Sequence, residues 1–396
     1  MEAMKQPLDG VTILDLTQIF NGPYATFLLA MAGAEVIKIE PPGGEHLRKR
    51  QGSAKGAAMP FAMLNANKKS VVLDLKAEEG KSALMAMAQH ADVLVENFAP
   101  GVMARLGLDA SRLQAANPRL IYASSSGYGS SGPYRDYPAM DLAVQAMSGL
   151  METTGYPENP PVKAGATVCD FAAGSHLFGA VCLALYDRER TGRGRQVEVA
   201  MLDAIFPTLA SSLGMYYGSG GKEAPRTGNR HSGLAVAPYN VYPASDGYIV
   251  IIASNEARWI ALADALGHPE LTRDARFRTM RDRCANLDDL DHALGQITRT
   301  QTKEQLFAKL IEARIPSAPV RSLLEVVNDR HLHERGMLHW IDHAEYGRMV
   351  VQGTPIRFEG LPMPPYLPSV PLGADTASVL ADRVGAQEPT RAGKIP

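Results

Sequence analysis

Two adjacent residues in the stretch VKAGATVCDFAAGSHLFGAVCLAL can attack a carbonyl carbon: the thiol of Cys169 and the carboxylate of Asp170. The small residues before them, AGATV, read as a β-like approach, and an amphipathic helical pattern starts immediately after Asp170. This places a carboxylate at a helix N-terminus, where free backbone N–H groups and the helix dipole favour the ionised form. On the residues alone two roles stay open for Asp170, a helix cap or a covalent nucleophile. Cys169 is the rival nucleophile, or else a small buried apolar residue.

Other segments carry weaker signals. The loop IFNGPYA (residues 19 to 25) follows a short β-rich run, and its Gly and Pro let backbone N–H groups face outward at a helix start, a general device for meeting anions. No G-x-G-x-x-G follows that first strand and no GxxxxGK[ST] occurs, so NAD-type and ATP-type phosphate loops lose their support. His331, His333, His339 and His343 fall close together, but their spacing matches no metal motif and HExxH is absent, so no metal site is expected. The runs RKR (48 to 50) and DRER (187 to 190) read as solvated faces, with the former also a candidate for touching phosphate.

These residues sit in an alternating pattern. VTILDLT (11 to 17), AEVIKIE (34 to 40), SVVLDLK (70 to 76), ADVLVENF (91 to 98) and LIYASSSGYG (120 to 129) are strand-like, with helical stretches between them. The alternation predicts a parallel, helix-covered sheet, which binds ligands beyond the carboxyl ends of its strands. Longer helices follow from Ala139, one of them running from Asp170 to about Arg190 with Gly192 as its C-terminal cap. QVEVAML is a further strand, and YNVYPASDGYIVIIAS reads as two strands about a Ser-Asp-Gly turn. A second domain is expected to start within the Gly-, Asn- and Pro-containing stretch 218–238 and to end near Leu324. The tail GLPMPPYLPSVPLG lacks both periodicities and is expected to run extended, wrapping a surface or reaching a neighbour.

Composition bounds the possibilities. At 396 residues, two domains are the default. A net charge of −2 argues for no nucleic acid or anionic membrane partner. No apolar stretch is read as a membrane span or signal peptide, and three cysteines without CxxC fit a reducing compartment, so the expected location is cytoplasmic.

Taken in order, LDGVTILDLTQIFNGPYATFLLAMAGAEVIKIEPPGGE, NANKKSVVLDLK, VENFAPG, RLIYASSSGYG, GPYRDYPAMDLAVQAMSG, VKAGATVCDFAAG, TGRGRQVEVAML and GNRH followed by PYNVYPASDGYI resemble the family III CoA-transferases, of the formyl-CoA transferase or CaiB/BaiF type. The match runs from Leu8 to about Ile252, with HERGM (333 to 337) as a weaker later block. The resemblance implies an intertwined homodimer, each subunit having a large Rossmann-like domain over 1–222 and 325–396 with a smaller α+β domain over 223–324 inserted between, no permanently bound cofactor, and acyl-CoA and a small carboxylic acid as substrates. It implies that Asp170 is the nucleophile, forming an aspartyl anhydride and then an aspartyl-CoA thioester. With a reference pKa of about 3.9, such a carboxylate is expected to be ionised without a general base.

The same resemblance carries CoA contacts to Ile19, Phe20 and Asn21, Leu73 and Lys76, Asn97 and Phe98, and Arg105, with Lys76 and Arg105 meeting phosphates. A basic residue that meets phosphate in formyl-CoA transferase is replaced here by Pro41, leaving Arg48 or a neighbour to compensate. The glycine-rich lid of oxalate-using members is missing, where this chain reads ASNEARW, which disfavours formyl-CoA and oxalate. Met140, Asp141, His176, Glu256 and the loop GNRHSG are candidates for lining the acyl pocket, and succinyl-CoA with a small dicarboxylate is the favoured pair. An α-methylacyl-CoA racemase is the alternative within the fold, but racemisation needs a base on each face of the α-carbon, and Met140 stands where racemase relatives have His. A non-catalytic CoA-binding protein, with Asp170 only a cap, is the alternative of another class.

Overall fold

The computed structural model describes residues 5–50, 58–222 and 226–384. The first strands are short β-branched runs: β1 (Thr12–Asp15), β2 (Glu35–Glu40), β3 (Lys68–Val72), β4 (Val93–Glu96), β5 (Ile121–Ser126) and β6 (Gln196–Ala200). They form one six-stranded sheet in the order β3-β2-β1-β4-β5-β6, every pair parallel. The parallel sheet is the one expected from the alternation; its order is doubly wound and Rossmann-like, as the resemblance implied, and its direction reverses between β1 and β4.

Side chains alternate faces along each strand, which sorts the core into two layers. Leu14, Ile37, Leu94 and Tyr122 pack on one face, beneath α3 (Glu78–Ala88), α5 (Ala110–Ala116) and the closing helix Thr376–Arg383. Ile13, Val36, Val93, Val95 and Ile121 pack on the other, against α1 (Asn21–Met31) and α7 (Val168–Thr191). Each fully buried aliphatic side chain here contributes about 1.5 to 3 kcal/mol. The outer edge of β3 is not bare. The Asp375 carboxylate and the Thr376 hydroxyl accept from Ser70 and Val72 N–H, and Asn67 bonds to Pro365 and Leu367 of the Pro-rich tail. The tail therefore runs along its own large unit and closes an edge that could otherwise pair with another strand.

By contacts, Gln145–Gly165 and Phe206–Asn328 form a second unit, while the first takes the preceding chain, Ala166–Ile205 and the chain from Asp329. Thus the helical stretch from Phe206 to Gly218 goes with the second unit rather than the first; the expected start at residue 223 lies outside the described residues. In the second unit β7 (Tyr239–Ala244) and β8 (Gly247–Ile252) make the anticipated hairpin about Ser245-Asp246, and β9 (Ser317–Pro319) extends it. Trp259, Tyr242, Leu262, Leu290 and Leu306 fill its core.

One expectation fails. Val168–Thr191 is long and apolar enough, by length and composition, to cross a membrane. The apolarity has another use in the fold, because Leu177, Val181, Ala184 and Leu185 pack onto the sheet.

Candidate active site

The site lies where two helices of the first unit begin. Its foundation is Asp15 at the end of β1, fully buried, which accepts from Thr17 N–H (2.9 Å), the Thr26 hydroxyl (2.7 Å) and Lys68 Nζ (2.9 Å). Burial alone would push the Asp15 carboxyl up, but Lys68 and Lys38 with the two hydroxyls hold it down to about 2. These bonds fix the path from β1 into α1. Gly22 is needed in that path, since a Cβ there would lie 2.3 Å from the Thr17 side chain. Ile19 adopts a left-handed φ of 68°, an uncommon conformation for a β-branched residue, to turn the chain into α1.

Asp170 is 9% exposed and lies inside the first turn of α7 rather than ahead of it, because the helix starts at Val168. It does not cap the helix. The carboxylate of Asp141, at the start of α6 (Asp141–Met147), accepts from Cys169 N–H at 2.8 Å and Asp170 N–H at 3.4 Å. The Asp170 carboxylate in turn faces the start of α1, where the backbone N–H of Asn21, the first residue of that helix, favours its anion. Gly174, one turn beyond Asp170, allows this approach: a Cβ there would lie 2.5 Å from the Asn21 carbonyl oxygen. Two helix N-termini thus each serve a carboxylate. Phe171 closes the side, its ring 4.8 Å from Tyr24 and 6.2 Å from Phe20.

The electrostatics differ from those of an isolated aspartate. Burial, and then the neighbouring Asp141 charge, push the Asp170 carboxyl up to about 7, against the Asn21 hydrogen bond that favours the anion. Asp170 is therefore only partly ionised at neutral pH, a correction to the value near 3.9 expected from its residue type. Burial, Asp141 and Asp170 push the Cys169 thiol up to about 12, so it stays neutral and unreactive.

A second feature occupies the point where the strand order reverses. The Asn97 carboxamide accepts from Gln18 N–H and donates to Gln18 C=O, both at 2.8 Å, and so staples the loop after β4 to the loop after β1. Beside it a cleft of about 330 Å3 is walled by Leu16, Ile39, Leu73, Phe98 and Leu106, with Lys76 and His46 as its basic members. Pro41 also lines it. Arg48 does not compensate at this position: its guanidinium is bidentate to Glu40, at 2.7 and 2.9 Å, and lies 3.9 Å over the Phe61 ring. His46 was not singled out from sequence, and only its proximity to Pro41 could have signalled it.

The remaining candidates fall in different places. Leu73, Lys76 and Phe98 share the cleft, whereas exposed Arg105 lines a separate surface depression with Lys81 and Arg112. Met140 is exposed directly before Asp141, and His176 is exposed on α7 with Nδ1 2.8 Å from Ala172 C=O. Glu256 belongs to the second unit, where it accepts from Met280 N–H and the buried Arg283. His333, His339 and His343 stack on Trp340, Tyr366 and Tyr346. Among the described residues no group of three His, Cys, Asp or Glu side chains is arranged to hold a metal ion.

A doubly wound α/β unit binds ligands beyond the carboxyl ends of its strands, where the strand order reverses, and this one presents a buried carboxylate at paired helix starts and an apolar cleft at the reversal. Residues 8–376 match the model of CoA-transferase family III, and the chain belongs to that family. It is 39% identical over 386 residues to an acetyl-CoA:oxalate CoA-transferase of Acetobacter aceti, covering 97% of each chain. It is 36% identical over 369 residues to a succinyl-CoA:mesaconate CoA-transferase of Haloarcula hispanica, covering 90% of this chain and 91% of the relative. A solved CAIB/BAIF family protein from Brucella suis superposes with a TM-score of 0.85 at 34% identity, covering 96% of this chain and all of that one. The protein is an enzyme of the CoA-transferase type.

Proposed function

We propose that the enzyme moves CoA between carboxylic acids by covalent catalysis on Asp170, with no permanently bound cofactor. The observation that carries this reading is the placement of the Asp170 carboxylate at the start of α1 while Asp141 takes the amides of α7. A side chain spent on capping would not be available to react. Asp170 attacks the donor thioester carbonyl and expels CoA thiolate, leaving a mixed anhydride. The thiolate attacks the aspartyl carbonyl, releases the donor carboxylate and leaves an aspartyl-CoA thioester. The acceptor carboxylate attacks that thioester and expels the thiolate again. Attack of the thiolate on the acceptor's acyl carbonyl then yields the new acyl-CoA and frees Asp170.

Each tetrahedral intermediate on the aspartyl carbon carries an oxyanion, and the Asn21 N–H is a fixed donor for it. Burial of the site protects the anhydride and thioester from water. The apolar cleft suits the adenine end of CoA, with Lys76 and His46 near its phosphates. The relatives named above use short acyl-CoAs, and two small dicarboxylates, oxalate and mesaconate, figure among their substrates. We assign this enzyme a short acyl-CoA donor, succinyl-CoA first, and a small dicarboxylate acceptor. The active form in this reading is a homodimer.

The test is mass spectrometry after incubation with acetyl-CoA, succinyl-CoA and related donors, quenched with borohydride or hydroxylamine. A modification on Asp170 that is absent from Asp170→Ala supports the reading and identifies the donor. Turnover by the wild type without any Asp170 species, or turnover retained by Asp170→Ala, would overturn it.

A further inference from the structure

Phe98 is shared by two cavities of the first unit. On one side it walls the apolar cleft at the strand-order reversal, with Leu73 and Lys76. On the other it lines a smaller cavity of about 150 Å3 together with Glu96, Asp109, Tyr122 and Glu198. The position of this dividing residue is set from its own strand. Glu96 is the last residue of β4, and its Oε2 accepts from the Phe98 N–H at 2.7 Å, a bond that bends the chain as it leaves the sheet. Its Oε1 accepts from the Tyr122 hydroxyl at 3.2 Å. Asn97, between Glu96 and Phe98, is already held to Gln18, so the tie from Glu96 governs how the chain turns before the Phe98 ring.

A glutamate is an unexpected choice for this task. It is 8% exposed, and no cation is paired with it among the described residues. A carboxylate buried without a cation costs more than an amide that offers the same acceptor. What a carboxylate adds is a second state, because once ionised its bond to a backbone N–H is roughly twice as strong as that of a neutral acceptor.

Given that the cleft takes the nucleotide end of CoA, as the proposed function holds, we infer that Glu96 is a positioning residue for that cleft, acting through Phe98, and that its protonation from the rear cavity weakens the hold on the ligand. The proton has a path that does not cross the ligand, since Glu96 lines the rear cavity and not the cleft. The titratable groups facing it there are Tyr122 on β5, Glu198 on β6 and Asp109 ahead of α5, while the short helix α4 (Val102–Arg105) presents Met103 and Ala104. Burial pushes the Glu96 carboxyl up to about 7, against the Phe98 and Tyr122 bonds that favour its anion. Burial and Glu96 together push the Tyr122 hydroxyl well above its usual range, so it stays a donor. Raising the pH through 7 therefore ionises Glu96, strengthens its tie to Phe98 and fixes the cleft wall; lowering the pH loosens it.

Because Asp170 titrates in the same range, the test reads binding alone. The dissociation constant of desulfo-CoA, which lacks the reacting sulfur, is measured by calorimetry from about pH 6 to about pH 8.5 in wild type and Glu96→Gln. The amide keeps an acceptor for the Phe98 N–H but cannot ionise. The two proteins should bind equally at the low end, and the wild type about 3- to 5-fold more tightly than the variant at the high end. A ratio of the two constants that stays flat would overturn the inference, since His46 and the phosphates contribute the same pH dependence to both proteins. Should Glu96→Gln fail to fold, Tyr122→Phe removes a donor to the anion and must shift the binding midpoint to higher pH; an unmoved midpoint counts against the role of Glu96. Phe98→Ala tells the two readings apart. If it leaves desulfo-CoA binding unchanged, the assignment of the cleft to CoA fails; if it weakens binding while the ratio stays flat, the role of Glu96 alone fails.

Discussion

Asp141 and Asp170 are the same residue type 29 positions apart, yet they do opposite things with helix amides. Asp141 accepts from the start of α7, whereas Asp170 is pushed toward its neutral form by burial and by the Asp141 charge. Two outcomes follow at this scale. The acid limb of the rate profile should have an apparent midpoint near 7, and Asp141→Asn, which keeps an acceptor oxygen but removes the like charge, should move it to lower pH; a profile unmoved by the substitution would contradict the coupling. The second outcome concerns stability. The folded pKa of Asp170 lies above the unfolded value of 3.8, so its contribution is fully present below 3.8 and is lost as the pH climbs to about 7. Asp170→Asn, inactive, should therefore be the more stable protein above pH 7, by on the order of 4 kcal/mol. The gain should fade toward about pH 4 in denaturant melts. The Asp170 block was legible in the sequence because its neighbours form a distinctive run, but the capping by Asp141 was not, since nothing in local spacing couples residues so distant along the chain.

At the scale of elements, the strands were legible where β-branched residues cluster, as in VTILD and EVIKIE, and the helix starts where Gly-Pro or small residues precede an apolar pattern. What spacing could not reveal was which elements touch. The crossing of α1 with α7 depends on Gly174, which lies on the same face of α7 as Asp170, one turn further on. Gly174→Ala should therefore act beyond its size. The added methyl meets backbone rather than a yielding side chain, so α1 must shift, at about 1 to 3 kcal/mol by the usual cost of overpacking. Because the shift draws the Asn21 N–H away from Asp170, adduct formation should slow at temperatures where the variant is fully folded; stopped-time mass spectrometry alongside thermal melts separates the two effects. The Asn97 staple to Gln18 was equally invisible, since side chain and backbone there are 79 residues apart. Three residues of the cleft it borders, Leu73, Lys76 and Phe98, were reached through the family resemblance, whereas spacing alone offered only the general property of a parallel sheet that binds ligands beyond its strand ends.

At the scale of the whole molecule, α7 poses a question of partnership. A helix of this length and apolarity is buried on all sides in a large protein or a membrane. Here one face packs on the sheet, while Leu183 and Tyr186 on α7 are 71% and 66% exposed and Gly179 faces open space. A second copy of the chain, as in the proposed homodimer, would cover that face with protein and account for the apolar composition without a bilayer. Light scattering should then give about 85 kDa, twice the chain mass of 42.6 kDa, in detergent-free buffer. Leu183→Glu with Tyr186→Glu places two charges on the bare face and leaves the sheet-facing residues alone. The double variant should run as a folded monomer or dissociate at concentrations where the wild type does not. A wild type that scatters as one chain at micromolar concentration would contradict the homodimer. A double variant that stays dimeric would move the interface elsewhere and leave the apolar face of α7 to another partner.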